Sequence, residues 1–229
     1  MALTSRAFAD IITFTRASSG TYFDSAGVMQ TATTNVPRFD YDPATLAAKG
    51  LLIEPAATNL LLRSREFDNA SWIKTDTTIT ANAANGVGGT ATMDLCTEGT
   101  AASAQTRQTA TITANSTDTF AIDVKRGNTD WIRLLVYETA TPSNYVSGWF
   151  NSGAGAAGSA ANGGTGTGAA VDIRNLGNGI YRCILTGAVN NSATAITARA
   201  HSASGDLAST RVNNATYYID RAQLESGSV

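Results

Sequence analysis

The residues of this chain best suited to chemistry are aromatic side chains that join an apolar body to a polar tip: Trp72, Trp131, Tyr137, Tyr145 and Trp149. Asn128, Arg133 and Asn144 stand close to several of them in sequence. Rings of this kind accept the C–H face of a saccharide, while amide and guanidinium groups bind its hydroxyls. The alternative for each ring is packing, in a core or at a subunit interface. Trp131 follows a turn at a strand start. In the run SGWF, a strand must turn either Trp149 or Phe150 outward.

Signals for catalysis are thin. His201 is the single histidine, and a Ser-His-Asp site would need it beside a strained nucleophile. ARAHSASG reads instead as an alternating strand running into a turn, so His201 is expected to be a solvent-facing or packed strand residue. There is no HExxH or CxxC pair, so no zinc site is expected. Gly164 to Ala169 (GTGTGA) matches a dinucleotide fingerprint by letter, but no helix-forming sequence follows. It is read as composition bias in a flexible loop. Glycosidase chemistry needs two facing carboxylates; the 18 Asp and Glu residues make chance pairs and single out none. The N-x-S/T triplets at Asn69, Asn115, Asn190 and Asn214 carry no message in so Thr-, Ser- and Asn-rich a chain. The chain is therefore expected not to be an enzyme.

Bulk composition narrows the partners. Only 15% of the 229 residues are charged and the net charge is -2, which argues against nucleic acid, since phosphate binding needs concentrated Lys and Arg. No apolar run approaches the ~20 residues of a membrane span, so no membrane insertion is expected. The start MALTSRAFADIITF lacks a long apolar stretch behind a basic head, so no secretion signal is expected. Cys96 and Cys183 form no CxxC and sit in strand-like runs; buried reduced thiols fit a chain folded in cytosol, and a disulfide between them stays open.

The elements that must position these residues are strands. Ala, Thr, Gly, Ser and Asn dominate, a mix poor for long helices and suited to short strands with tight turns. Residues 1–10 read as an arm or linker. Ile11–Arg16, Thr21–Asp24 and Val28–Thr31 read as a small meander. Asp42-Pro43 looks like a helix start and Gly50 like a helix end, which predicts one or two helical turns over Ala44–Lys49. Gly50 to Trp72 (GLLIEPAATNLLLRSREFDNASW) is the seam between this module and the rest. Pro55 forbids one continuous element and sets a fixed bend there. Glu54 either points outward or caps backbone N–H groups at that bend. Beyond the seam, short alternating segments recur, among them Phe120, Ile122 and Val124 on one face. Their spacing predicts an all-β antiparallel sandwich or barrel. The Gly/Ala-rich stretch 151–170 interrupts the pattern.

The seam resembles the segment leading into a carbohydrate-binding-module-like jelly roll in many tailed-phage tail-fibre, tail-spike and head-fibre proteins. ITFTRASSGTYFDSAGVMQTA resembles the short β-module that precedes it there. LGNGIYRC (Leu176–Cys183) resembles that domain's LGNGWYR strand, and YYIDRAQLESGS (Tyr217–Ser228) its closing strand. Ile180 stands where the family often has Trp, which puts any aromatic platform at that point in doubt. The resemblance implies an eight- to ten-strand jelly roll with a concave face in a virion surface protein, commonly a homotrimer, that binds host glycans or decorates the particle. It also raises a structural Ca2+ at Asp220, against an ion pair with Arg221 or a strand-surface role.

The expectation is thus an N-terminal β-module (1–50) and a jelly roll (51–229). It would serve as a fibre, head-fibre or decoration subunit assembled in the host cytoplasm, touching other virion proteins and host-surface polysaccharide. Its glycan-binding candidates are Trp72, Trp131, Arg133, Tyr137, Asn144, Tyr145 and Trp149. The alternatives are a purely structural adaptor and a glycan-cleaving spike-type enzyme.

Overall fold

A computed structural model describes residues 12–54, 58–114, 116–189 and 192–227. The proposed arm over 1–10, the Pro55 bend and the triplets starting at Asn115 and Asn190 lie outside the described residues. The chain divides into two units, Met1–Pro55 and Ala56–Val229.

The first unit holds two hairpins, β1 (Gly20–Phe23) with β2 (Met29–Ala32), and β3 (Phe39–Tyr41) with β4 (Ala48–Leu51). Asp24 builds the first turn: its carboxylate accepts from Ala26 N, Val28 N and Gln30 Nε2. The described part of Ile11–Arg16 is not a strand. The helix expected over Ala44–Lys49 is absent. Asp42 does accept from Ala44 N and Thr45 N, as a helix cap would, and those bonds hold its acid down at about 2. Leu46 then takes φ 61° and turns the chain back into β4, so the capping signature opens a hairpin loop. Gly50, read as a helix end, sits in β4 at φ 89°, beside the bulge that leaves Lys49 of β4 without a β3 partner. Glu54 points outward, its side chain 56% exposed, and pairs with the buried Arg38 at 2.7 Å.

The second unit is an antiparallel β-sandwich. Its strands are β5 (Ile73–Thr75), β6 (Thr77–Asn85), β7 (Ala91–Glu98), β8 (Gln105–Thr111), β9 (Asp118–Arg126), β10 (Trp131–Glu138), β11 (Tyr145–Asn151), β12 (Ala156–Gly163), β13 (Thr167–Asn175), β14 (Ile180–Ala188), β15 (Ala195–Ala203) and β16 (Thr216–Ser226). One six-stranded sheet runs β12-β11-β10-β15-β8-β5 and the other β13-β14-β9-β16-β7-β6. Ranked along the chain, the eight strands β7 to β11 and β14 to β16 stand in the order 6-3-8-1 in one sheet and 5-4-7-2 in the other, the jelly-roll arrangement. No described residue is helical.

Alternation explains the core. Phe120, Ile122 and Val124 of β9 meet Ile132, Leu134 and Val136 of β10 and Ile196, Ala198 and Ala200 of β15 between the sheets. Burying side chains of this size contributes about 1.5–3 kcal/mol each. Ile180 is buried too, 1% exposed, though outside that core cluster. Cys96 and Cys183 are free thiols within it, and burial pushes both well above the ordinary thiol range.

The Gly/Ala-rich stretch is ordered, contrary to the loop expected there. It forms β12 and β13, which extend the two sheets at the same edge, joined by a turn through Gly164 at φ 55°. Small residues are required on the neighbouring strand too: a Cβ on Gly148 of β11 would lie 2.2 Å from Val171 Cγ1 of β13.

Residues 58–72 form a strap without regular structure. The strap takes the place of a strand beside β16. β16 pairs with β7 only over Thr216–Ile219. From the bulge between Asp220 and Gln223 onward, its groups bond to the strap: Ala222 N to Ser64 O at 2.8 Å and Leu60 N to Leu224 O at 2.8 Å. The two segments quoted for the resemblance, seam and closing strand, are thus hydrogen-bonded to each other.

Candidate functional site

Side chains of β10, β11, β15 and β8 that alternate with the core residues form the outer face of the first sheet. Its rows follow from register. Arg133 stands between Trp149 and His201, Leu135 between Ser147 and Arg199, and Tyr137 between Tyr145 and Thr197. Arg199 is in turn opposite Arg107. A cleft of about 360 Å3 opens here, lined by Arg133, Leu135, Tyr137, Tyr145 and Arg199, with Pro142 and Ser209 from flanking loops.

Three of the sequence candidates therefore meet in one place: Arg133, Tyr137 and Tyr145. The Tyr145 ring lies across Gly163 of β12, where a Cβ would sit 2.0 Å from its Cε1. Glycine at that position lets the ring lie flat along the strand. Tyr137 is 8% exposed and packs under the Arg199 guanidinium, 5.6 Å from its ring centre. Its hydroxyl accepts from Arg107 Nη1 at 3.4 Å.

The other candidates lie elsewhere or are engaged. Trp72 is a core residue, 2% exposed, packed at a tilt against Phe67 with its indole N–H donated to Arg63 O at 2.9 Å. That is the packing alternative, and it removes Trp72 from any ligand face. Trp149 does point outward while Phe150 fills the core, but it is only 3% exposed. The Arg133 guanidinium covers its ring at 4.6 Å and its N–H bonds Ala208 O at 2.8 Å. Trp131 is half-buried at the far end of the same face, against Gly158. It lies six residues from Tyr137 on β10, about 20 Å at strand rise. Asn144 is spent within the protein: its amide donates to Glu138 Oε2 at 2.6 Å and its carbonyl accepts from Thr165 N at 3.0 Å. Asn128 closes a turn with Asn214 and Thr216.

Asp220 holds a chain cation, and the partner differs from the one expected. Arg65 binds it through both Nε and Nη2, at 3.0 and 3.1 Å, and Thr92 Oγ1 donates to it at 2.8 Å. Arg221 bonds Asp123 instead. Those donors occupy the Asp220 carboxylate, and no group of three or more His, Cys, Asp or Glu suited to a metal occurs among the described residues.

Sequence reasoning missed Arg199 as part of the cleft, and missed Arg107, His201 and Arg211, which are linked to it by register or charge. Alternation in ITARAHS carried a usable signal, since it puts Arg199 and His201 on the face opposite Ala198 and Ala200. His201 is the packed form of the two expected: fully buried, it donates Nδ1–H to Ser202 O at 2.7 Å and accepts at Nε2 from Arg211 Nη1 at 2.7 Å. Burial, then Arg211 and Arg199, push its pKa well below 6.5. Burial also draws Arg133 and Arg211 down. It brings Arg199 to about 10, with Arg211, Arg133 and Arg107 adding repulsion.

No protein-family model matches the chain, and no curated protein matches it. Among solved structures, the enzymatically active domain of bacteriophage CBA120 tailspike protein 4 aligns with TM-score 0.41 and 14% identity, over 74% of this chain and 21% of that one. The CBM22-1–GH10 modules of Clostridium thermocellum endo-1,4-beta-D-xylanase 10B, complexed with xylohexaose, align with TM-score 0.42 and 12% identity, over 75% of this chain and 28% of that one. The chain thus spans under a third of each of these structures.

Proposed function

We propose that the chain is a host-attachment subunit of a tailed-phage particle, a fibre, spike or decoration protein, whose sandwich binds surface glycan. The observation that carries this reading is the cleft on the outer sheet face, where Tyr137 and Tyr145 stand as a cross-strand pair beside the guanidinium donors of Arg133 and Arg199. The half-buried Tyr145 ring offers an apolar face to a sugar ring, and the guanidinium groups offer planar, multidentate donors to its oxygens. The residues lining the cleft include no carboxylate, which favours binding over glycoside cleavage. The particle assignment and a homotrimer rest on the sequence resemblance of the seam and the closing strand.

A glycan array probed with wild type and Tyr145→Ala tests the cleft, with Trp131→Ala as a control at the far end of the face. Binding lost in Tyr145→Ala and kept in Trp131→Ala is the expected result. The opposite pattern moves the site to the Trp131 end, and an empty array with folded wild type removes the adhesion reading. A monomeric mass by light scattering would remove the trimer.

A further inference from the structure

We infer that the cleft selects anionic saccharides, those carrying carboxylate, sulfate or phosphate groups, over neutral ones; this rests on the adhesion reading above. The chain treats its arginines in two ways. On the other sheet, Arg182 and Arg221 both bond the fully buried Asp123, and Arg65 bonds the buried Asp220. Two buried carboxylates there, Asp123 and Asp220, are thus matched by guanidinium. On the cleft face, Arg107, Arg133 and Arg199 stand together, and the hydrogen-bond partners they find are neutral; Arg211 has the buried Glu98 carboxylate near it. Arg133 Nη2 bonds Ser147 Oγ at 3.2 Å. Arg199 Nη1 bonds Gln105 Oε1 at 3.0 Å. Arg107 reaches the Tyr137 hydroxyl, and Arg211 Nε bonds Ala104 O at 2.8 Å.

Three donors of this cluster, the Nε groups of Arg107, Arg133 and Arg199, have no acceptor at all among the described residues. Arg133 is 9% exposed, so this charge is largely withdrawn from water as well. Arg107 and Arg199 are directly opposite on paired strands, an arrangement in which like charges repel. Mutual repulsion of partly desolvated guanidinium groups costs free energy in the empty protein. An anion seated between Arg133 and Arg199 removes that cost and gains charge-assisted, bidentate hydrogen bonds. Tyr145 then supplies the apolar wall a sugar ring needs. Selection arises because a neutral sugar satisfies the donors but leaves the repulsion in place.

The test is titration calorimetry on the full chain with polygalacturonate, the same polymer after carboxyl reduction, dextran sulfate, dextran and single-stranded DNA. Tight binding to polygalacturonate or dextran sulfate supports the inference, and which of the two binds tells carboxylate from sulfate. Affinity at least tenfold lower for the carboxyl-reduced polymer or dextran, and falling as salt rises, completes the expected result. Arg199→Gln is expected to lose about tenfold or more on the acidic polymer, and Arg174→Ala, on the other sheet, to lose nothing. Should Arg199→Gln fail to fold, the wild-type salt dependence still decides. Equal affinity for acidic and neutral polymers overturns anion selection and leaves adhesion standing. No binding to any polysaccharide overturns both, and preference for DNA overturns the saccharide.

Discussion

Asn59 and Leu224 lie 165 positions apart and are joined through one carboxamide, whose Oδ1 accepts from Leu224 N at 3.0 Å. The same Oδ1 accepts from Leu61 N, and Nδ2 donates to Ala222 O. Asn59 thus stands in for the backbone of a strand that β16 lacks beyond its bulge. Asn59→Ala removes all of these bonds and is expected to lower stability by about 2–3 kcal/mol, given ~1 kcal/mol per net hydrogen bond. Asn59→Asp keeps the acceptor and should cost less. Urea unfolding monitored by tryptophan fluorescence measures both, and equal midpoints for wild type and Asn59→Ala would show these strap bonds to be dispensable.

The Asp220 carboxylate makes a second prediction. It is 1% exposed and bound by Arg65. Asp220→Ala leaves Arg65 and Thr92 without their acceptor and is expected to cost about 3 kcal/mol. Because chain donors occupy this carboxylate, millimolar calcium should leave the thermal midpoint of wild type where it is. A clear rise on adding calcium would restore the metal reading of this residue.

Acid sensitivity follows from His201. Its pKa is lowered in the fold, to well below 6.5, so the unfolded chain takes up the proton more readily. A depressed value contributes stability that is present above pH 6.5 and is lost as pH falls below it, at up to about 1.4 kcal/mol per pH unit. Burial raises Asp94, Glu98 and Asp118; their contribution has the opposite sign and shrinks as pH rises through their folded values. The difference between wild type and His201→Gln isolates the histidine. That difference should fall with pH below 6.5 and be flat above it; a flat difference throughout would mean the ring takes up its proton equally in the folded and unfolded chain, and a difference that grows as pH falls would mean the ring is charged in the fold.

Close approach at the sandwich edge gives a fourth test. A Cβ at Gly148 has only 2.2 Å to Val171 Cγ1, so Gly148→Ala should destabilise by about 1–3 kcal/mol through overpacking. Adding Val171→Ala should recover part of the loss, as contacting residues couple. Additive losses in the double variant would place the strain elsewhere.

The sandwich was legible where side chains alternate strongly, as in Phe120, Ile122 and Val124, because period two and burial report the same thing. It was illegible over 151–170, since glycine and alanine carry no apolar alternation and are depleted in strands. Here their smallness serves the rings laid over them, Trp131 on Gly158 and Tyr145 on Gly163. Helix capping and an Asx turn share the same first bonds, so Asp42 alone could not tell a helix from the hairpin that forms. The site was half legible. Tyr137, Tyr145 and Arg133 are close in sequence, but Arg107 and Arg199 join them only through the register of β8, β15 and β10. Register is a property of strand pairs, which one strand does not encode. Trp72 and Trp149 look alike as letters; a covering contact from Ala208 and a neighbouring Phe67 decide their burial.

The position of β16 governs how this protein can be made. It is the final strand of the sandwich along the chain, yet it lies inside its sheet, flanked by β9 and β7. A ribosome that has delivered everything up to β15 holds a layer with a slot through its middle and two raw edges facing one another. Closure waits for the closing segment to emerge, and its pairing is slow by its long sequence separations. Nascent copies crowded on one message would be exposed throughout that interval to strand exchange with their neighbours.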